Sequence, residues 1–134
     1  MADFHSILDA FYLAYAERDA AKAGALYPED GWHEEVAMSK RRTGREAVAE
    51  GLAGFFRMLP DVTWSEELRI LSGRQAAVLY TMRGTFTPRP KEGAEAPQPK
   101  TVVLKGLHLF EFSDDGLIGT KDLWNLDSFK QQIA

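Results

Sequence analysis

Two alternating apolar segments near the carboxyl end constrain the fold of this chain most strongly. The first, VVLKGLHLFEF, spans residues 102–112, and the second, LIGTKDLWNL, spans residues 117–126. The turn sequence SDDG joins them and ends in Gly116, a residue type that readily adopts the positive φ angles of tight turns. Because successive side chains of a strand point to opposite faces, the pattern predicts an antiparallel hairpin with one apolar face.

One polar residue interrupts the apolar face of each strand, His108 on the first and Asp122 on the second. The hairpin can place them side by side on the wall of one cavity, where an imidazole and a carboxylate can transfer protons near neutral pH. The alternative is a plain hydrogen bond that ties the two strands together. The apolar positions that share these faces are Val102, Leu104, Gly106, Phe110 and Phe112, and Ile118, Trp124 and Leu126.

Helical periodicity dominates the first part of the chain. Residues 3–24 and 45–59 carry apolar residues at spacings of three and four, which predicts two amphipathic helices, the second ended by Pro60. Between them, residues 32–38 predict a short strand and residues 39–44 a polar loop.

Two further strands are predicted at residues 62–71 and 75–88, and residues 89–99 read as a flexible hairpin loop. Residues 127–134 predict a short terminal helix or tail. The residues of the first strand expected to share one face are Val62, Trp64, Leu68 and Ile70.

Helices that precede a set of antiparallel strands predict an α+β fold. We expect one domain over residues 1–134, with a strongly curved, cone-shaped antiparallel sheet wrapped around the N-terminal helix. Gly84 and Gly106 lie inside strands, where the sheet could bend.

Composition argues against several classes of function. The net charge is −4, which disfavours a nucleic-acid partner, and the cluster Lys40, Arg41, Arg42 and Arg45 is interpreted as a solvated loop. The chain has no cysteine, so thiolate metal sites and thiol nucleophiles are ruled out. No basic leader and no apolar run long enough for a membrane span is apparent, so we expect a cytoplasmic protein without a membrane partner.

The N-terminal helix with Phe11 and Tyr15, the segment at residues 44–67 and the segment at residues 106–129 together resemble the SnoaL-like polyketide cyclases. This family belongs to the nuclear transport factor 2-like superfamily, whose fold is an α+β barrel. The resemblance implies ring closure of a polyketide ester by intramolecular aldol condensation without a cofactor. It also implies that Asp122 acts as the acid/base and that His108 assists it.

Burial is expected to raise the pKa of Asp122, so that this carboxyl exchanges protons near neutral pH while a neutral His108 contacts a carbonyl or positions the aspartate. Other functions remain open: a non-catalytic module that binds a small apolar molecule, or an isomerase or dehydratase that uses the same pair. The aromatic residues expected to line the cavity and bind substrate are Tyr15, Trp32, Phe55, Tyr80, Phe110 and Trp124.

Two more expectations concern metal ions and assembly. His33, Glu34 and Glu35 could suggest a metal site, but His33 and Glu34 are adjacent in a strand and so point to opposite faces, which argues against a metal there. Proteins of this fold commonly pair through the convex face of the sheet, so we expect a homodimer. The residues expected on that face are Leu79, Thr81, Arg83, Leu107 and Leu109.

Overall fold

The computed structural model describes residues 2–95 and 97–134. No helix in this part of the chain is both long enough and apolar enough to cross a membrane. The elements are, in chain order, α1 (Phe4–Ala16), α2 (Ala20–Gly24), β1 (Trp32–Glu35), a 3-10 turn (Val36–Met38), β2 (Lys40–Thr43), α3 (Arg45–Met58), β3 (Thr63–Ser72), β4 (Gln75–Phe86), β5 (Lys100–Ser113), β6 (Gly116–Trp124) and α4 (Leu126–Ile133).

Within the described ranges the strands form one six-stranded sheet in the order β2-β1-β6-β5-β4-β3. Neighbouring strands are antiparallel except β1 and β6, which run parallel. The sheet is curved and open at its edges. The predicted α+β fold with a curved sheet is therefore confirmed, with one parallel pair that the sequence analysis did not predict.

Two apolar clusters join the helices to the inner face of the sheet. The first unites α1, through Leu8 and Phe11, with Val78 and Phe110 of the sheet. The second unites the end of α3 with β4 and β5, and Leu59 at its centre is fully buried. Because both helices cover the same face, the polar residues on that face are enclosed between helix and sheet.

The helix predicted over residues 3–24 is divided in two. α1 ends at Ala16, Arg18 takes a left-handed φ of 53°, and Asp19 begins α2 by accepting a hydrogen bond from the Lys22 backbone amide. An aspartate whose side chain caps a new helix competes with continuation of the preceding one, so the single long helix was wrong.

The region predicted as a polar loop contains strand β2, Lys40–Thr43, which pairs with β1 at the edge of the sheet. The predicted strand at residues 32–38 is correspondingly shorter and ends at Glu35. An edge strand meets solvent and carries polar side chains in this chain, so alternation of hydrophobicity did not reveal it.

Two β-bulges change which residues face the core. Between Glu66 and Leu68 the register shifts by one residue, so Leu68 and Ile70 lie on the outer face, 49% and 52% exposed, contrary to the prediction. A second shift after Glu111 brings Leu117 rather than Ile118 opposite Phe112. Leu126, predicted to continue the last strand, instead begins α4.

Candidate active site

A row of four polar residues crosses four neighbouring strands on the inner face. Lys40 of β2 is opposite Glu35 of β1, Glu35 is opposite Asp122 of β6, and Asp122 is opposite His108 of β5. Directly paired residues on adjacent strands have Cβ atoms about 4.5–5.5 Å apart. The register therefore places an ammonium group, two neighbouring carboxylates and an imidazole within reach of one another, although they are far apart in sequence.

An adjoining cavity of about 270 Å³ lies between this face, α3 and α4. Its wall is mostly apolar with a few polar groups, which is the usual character of a small-molecule site. The lining residues used below are Tyr15, His33, Glu35, Lys40, Arg42, Leu52, Phe55, Trp64, Tyr80, Asp122 and Trp124.

Asp122 presents its carboxylate at the cavity wall. Its Oδ1 accepts a hydrogen bond of 2.6 Å from the Tyr80 hydroxyl, and its Oδ2 lies 3.4 Å from Nε2 of His108. Burial raises the pKa of Tyr80 above its usual value, and the Asp122 charge raises it further. The Tyr80 hydroxyl therefore keeps its proton and remains a donor to Asp122.

His108 lies behind Asp122 and is fully buried, so it does not line the cavity as predicted. Its Nδ1 is 2.9 Å from the Tyr12 hydroxyl, and its ring lies 4.6 Å from the ring of Tyr80 between centroids. Aromatic side chains of α1, including Phe11, cover the imidazole. The 3.4 Å separation from Asp122 exceeds the usual N–H···O range of about 2.7–3.2 Å, so the contact is mainly electrostatic.

The pKa of Asp122 is lowered, contrary to the expectation from sequence. Burial on its own raises this pKa, as expected, but the electrostatic influence of His108 and the hydrogen bond from Tyr80 favour the ionised form and outweigh it. The expected rise in pKa took account of burial but not of the opposing effects of His108 and Tyr80. Asp122 is consequently an ionised carboxylate at neutral pH.

A second hydrogen-bonded pair, His33 and Glu35, lies beside Asp122 on β1. His33 Nε2 is 2.8 Å from Glu35 Oε1, and its Nδ1 is 2.6 Å from the Thr120 hydroxyl. Trp124 donates to the other oxygen of Glu35 at 2.8 Å. The prediction against a metal site compared the directions of His33 and Glu34 only, and not those of His33 and Glu35. Residues two apart in a strand share a face, and this spacing could have revealed the pair.

His33, Glu35 and Asp122 also bring one nitrogen and two carboxylates together, with one potential ligand atom of each within 4.8 Å of the others. That donor set could bind a divalent cation such as Zn²⁺. In the structure the same atoms are engaged in protein contacts, and a cation would have to break the hydrogen bond between His33 and Glu35. That the protein functions without a metal ion stays a prediction.

Of the six aromatic residues predicted to bind substrate, four line this cavity: Tyr15, Phe55, Tyr80 and Trp124. Phe110 lies instead in the apolar core, 1% exposed. Trp32 lies on the opposite face of the sheet, where it borders a groove of about 400 Å³ and the Arg41 guanidinium covers its ring at 4.1 Å. Its prediction failed because the alternation of β1 gives the inward positions to His33 and Glu35.

Gly106 leaves room for the Tyr80 side chain. A Cβ atom at this position would collide with the Tyr80 ring and hydroxyl. The glycine was expected to mark a bend in the sheet, and the structure shows that it also allows Tyr80 to reach Asp122.

Comparison with known proteins agrees with this architecture. A protein with a ketosteroid isomerase-like fold from Catenulispora acidiphila, in complex with trimethylamine, superposes with a TM-score of 0.80 at 20% identity, over 97% of this chain and 93% of that one. A proposed polyketide cyclase from Pseudomonas putida KT2440 gives 0.78 at 20% identity, over all of both chains. TerC, co-crystallised with polyporic acid, gives 0.76 at 16% identity, over 96% of each chain. At these identities the likeness establishes the fold alone.

Among curated proteins, none matches the chain. The family model of the SnoaL-like domain matches residues 8–119, which include most of α1, all of α3 and the sheet strands as far as Gly119 in β6. This chain belongs to the SnoaL-like domain family.

Proposed function

We propose that the chain is a cofactor-independent acid/base enzyme of the polyketide cyclase type, which acts on a small apolar ketone or ester in the cavity. The observation that carries the proposal is the position of Asp122: an ionised carboxylate at the wall of an apolar cavity, with one oxygen fixed by Tyr80. An ionised carboxylate in such surroundings is a general base.

The reaction begins with proton abstraction from the carbon next to the substrate carbonyl. The C–H bond breaks, the proton moves to Asp122 Oδ2, and the electron pair moves to the carbonyl oxygen to give an enolate. The enolate carbon then bonds to a second carbonyl carbon of the same molecule, and Asp122 returns its proton to the new alkoxide. Product and substrate are isomers, so the reaction needs no other reagent.

The other polar groups have supporting roles in this proposal. His33 lies on the same wall as Asp122, and because Glu35 and Thr120 engage both of its ring nitrogens, it fixes the polar side of the cavity rather than contacting the substrate. His108 is a positioning residue, since it contacts Asp122 but not the cavity. Its electrostatic contact with Asp122 favours the ionised carboxylate.

Family membership and the known ligands of similar proteins support the proposal at a coarser level. The Catenulispora protein is in complex with trimethylamine and TerC was co-crystallised with polyporic acid, so small organic molecules are found with proteins of this fold. Isomerisation and dehydration can begin with the same removal of a proton next to a carbonyl, whereas a protein that only binds its ligand removes no proton. The first chemical step therefore decides between an enzyme and a binding module.

Deuterium exchange tests that step without knowledge of the natural substrate. A panel of aryl ketones and aromatic β-keto esters is incubated with the protein in D₂O, and loss of the α-proton signal is followed by NMR. Wild-type protein should accelerate exchange for at least one compound, and Asp122→Asn should abolish the acceleration. Asp115→Asn, in the exposed turn before β6, is the matched control and should behave like wild type. Equal exchange with wild type and Asp122→Asn would contradict the proposal.

A further inference from the structure

Two cations line the cavity beside the acid/base groups. Arg42 is opposite His33 and Lys40 is opposite Glu35 across the β1–β2 ladder, so both point to the inner face. Met38, Lys40 and Met58 are the exposed members of the lining and mark the cavity opening. Lys40 therefore lies at the opening, and the half-buried Arg42 lies farther inside the cavity.

The carboxylates near these cations are already engaged with other groups. Glu35 is held by His33 and Trp124, and Asp122 by Tyr80 and His108. Within residues 2–95 and 97–134, the ion pairs of 4.0 Å or shorter include neither Lys40 nor Arg42. These two are the cationic groups of the lining that have no acidic partner.

Arg42 is held in place by the helix that it crosses. A Cβ atom built on Gly51 of α3 would collide with Cδ and Nε of Arg42, so the arginine stem lies directly against the helix at this glycine. The residue is half-buried, and its guanidinium is more restricted than that of an arginine in solvent. A restricted guanidinium can bind a carboxylate through two parallel hydrogen bonds.

We propose that the ligand of this cavity is an aromatic or otherwise apolar carboxylic acid, whose carboxylate is bound by Arg42 with help from Lys40. Its apolar body packs against Leu52, Phe55 and Trp64, and its opposite end reaches Asp122. β2 and β6 are two strands apart, so the backbones that carry the two ends are about 10 Å apart. This inference rests on the proposed function and adds the substrate class.

Matched acid and amide pairs isolate the contribution of the carboxylate. Calorimetric titration compares 2-naphthoic acid with 2-naphthamide, and biphenyl-4-carboxylic acid with its amide, because each pair differs in charge but hardly in shape. At least one acid should bind ten-fold or more tightly than its amide, and this preference should weaken as salt is added. Acids that bind no more tightly than their amides, including the case in which neither binds, overturn the inference.

Variants then show which residues cause the preference for the acid over its amide. Arg42→Gln should remove most of this preference, and Lys40→Gln should reduce it. Gly51→Ala should also reduce it by displacing the Arg42 stem, which tests the arginine without removing it. Arg83→Gln, an exposed position on the outer face, is the control and should leave the preference unchanged. The inference is also overturned if Arg42→Gln and Gly51→Ala both prefer the acid as strongly as wild type does, provided that circular dichroism shows both variants to be folded.

The two proposals fail in different ways. If aromatic acids bind in preference to amides but no ketone undergoes exchange, the chain binds acids and the proposed catalysis is wrong. If exchange depends on Asp122 but acids and amides bind equally, the catalysis stands and the substrate class is wrong.

Discussion

His108 and Asp122 occupy directly paired positions on β5 and β6, and the imidazole Nε2 lies 3.4 Å from the carboxylate Oδ2. Only the carboxylate meets the cavity, since His108 is covered by the aromatic side chains of α1. We therefore expect Asp122 to contact the ligand and His108 to favour the ionised form of Asp122.

Replacement of His108 by phenylalanine should shift the pH dependence of exchange. Without the imidazole, burial becomes the dominant influence on Asp122 and raises its pKa, so the acid limb of the rate profile should move to higher pH. Tyr12→Phe, which removes only the hydroxyl beside Nδ1, is the control and should shift the limb less. An acid limb that does not move in His108→Phe would show that the imidazole does not control Asp122.

The lowered pKa of Asp122 also predicts how stability depends on pH. A carboxyl whose pKa is lower in the folded state stabilises the fold above its unfolded value, near 3.8, and loses this contribution as the pH falls through the folded value. The free energy of unfolding of wild type minus that of Asp122→Asn should thus be constant from about pH 5 to pH 7 and shrink in more acidic solution. Urea titrations measure it, and a difference that grows on acidification contradicts the lowered pKa.

Substitution of Gly106 by alanine should separate Tyr80 from Asp122. The added methyl group collides with the Tyr80 ring and hydroxyl, so we expect a loss of about 1–3 kcal/mol in the free energy of unfolding and slower exchange. Gly84→Ala, where the new atom meets Leu59 and Val62 at 3.3–3.4 Å, is the milder control. Exchange at the wild-type rate in folded Gly106→Ala would mean that the Tyr80 contact is dispensable.

The outer face of the sheet remains the predicted dimer interface. The residues exposed on this face differ from those predicted. Thr81 is only 3% exposed and donates a hydrogen bond to Glu67. The bulge in β3 adds Ile70 to the exposed apolar residues of the face. An exposed apolar patch of this kind favours association. Light scattering after size exclusion should report a dimer at micromolar concentration and a monomer for Ile70→Lys. A wild-type monomer would contradict this prediction.

Local pattern was enough to predict the hairpin that carries His108 and Asp122. β5 and β6 are adjacent in sequence, both show alternating side-chain polarity, and a turn that ends in glycine joins them, so their pairing was predictable. The structure places His108 and Asp122 opposite each other. The second helix was also recognisable, because its apolar stripe is bounded by Gly44 and Pro60, close to the observed Arg45–Met58.

The other half of the site depends on pairing between distant segments. Glu35 meets Asp122 through a parallel pair of strands, and no turn between those strands fixes the register. The bulge after Glu66 likewise reversed the faces of Leu68 and Ile70, because one inserted residue inverts all later alternation. The direction of the Asp122 pKa shift was missed because burial was weighed without the opposing effects of His108 and of Tyr80, which lies 42 residues away.

The most direct measurement is the rate of α-proton exchange catalysed by wild type and by Asp122→Asn at pH 7, with the same ketone and the same protein concentration. General acid/base catalysis by a positioned side chain contributes about 10²–10⁴-fold, so the variant should be slower by at least about 100-fold while its fold and ligand affinity persist. Rates that agree within about threefold would contradict the account, since that difference is far below the expected contribution of a general base.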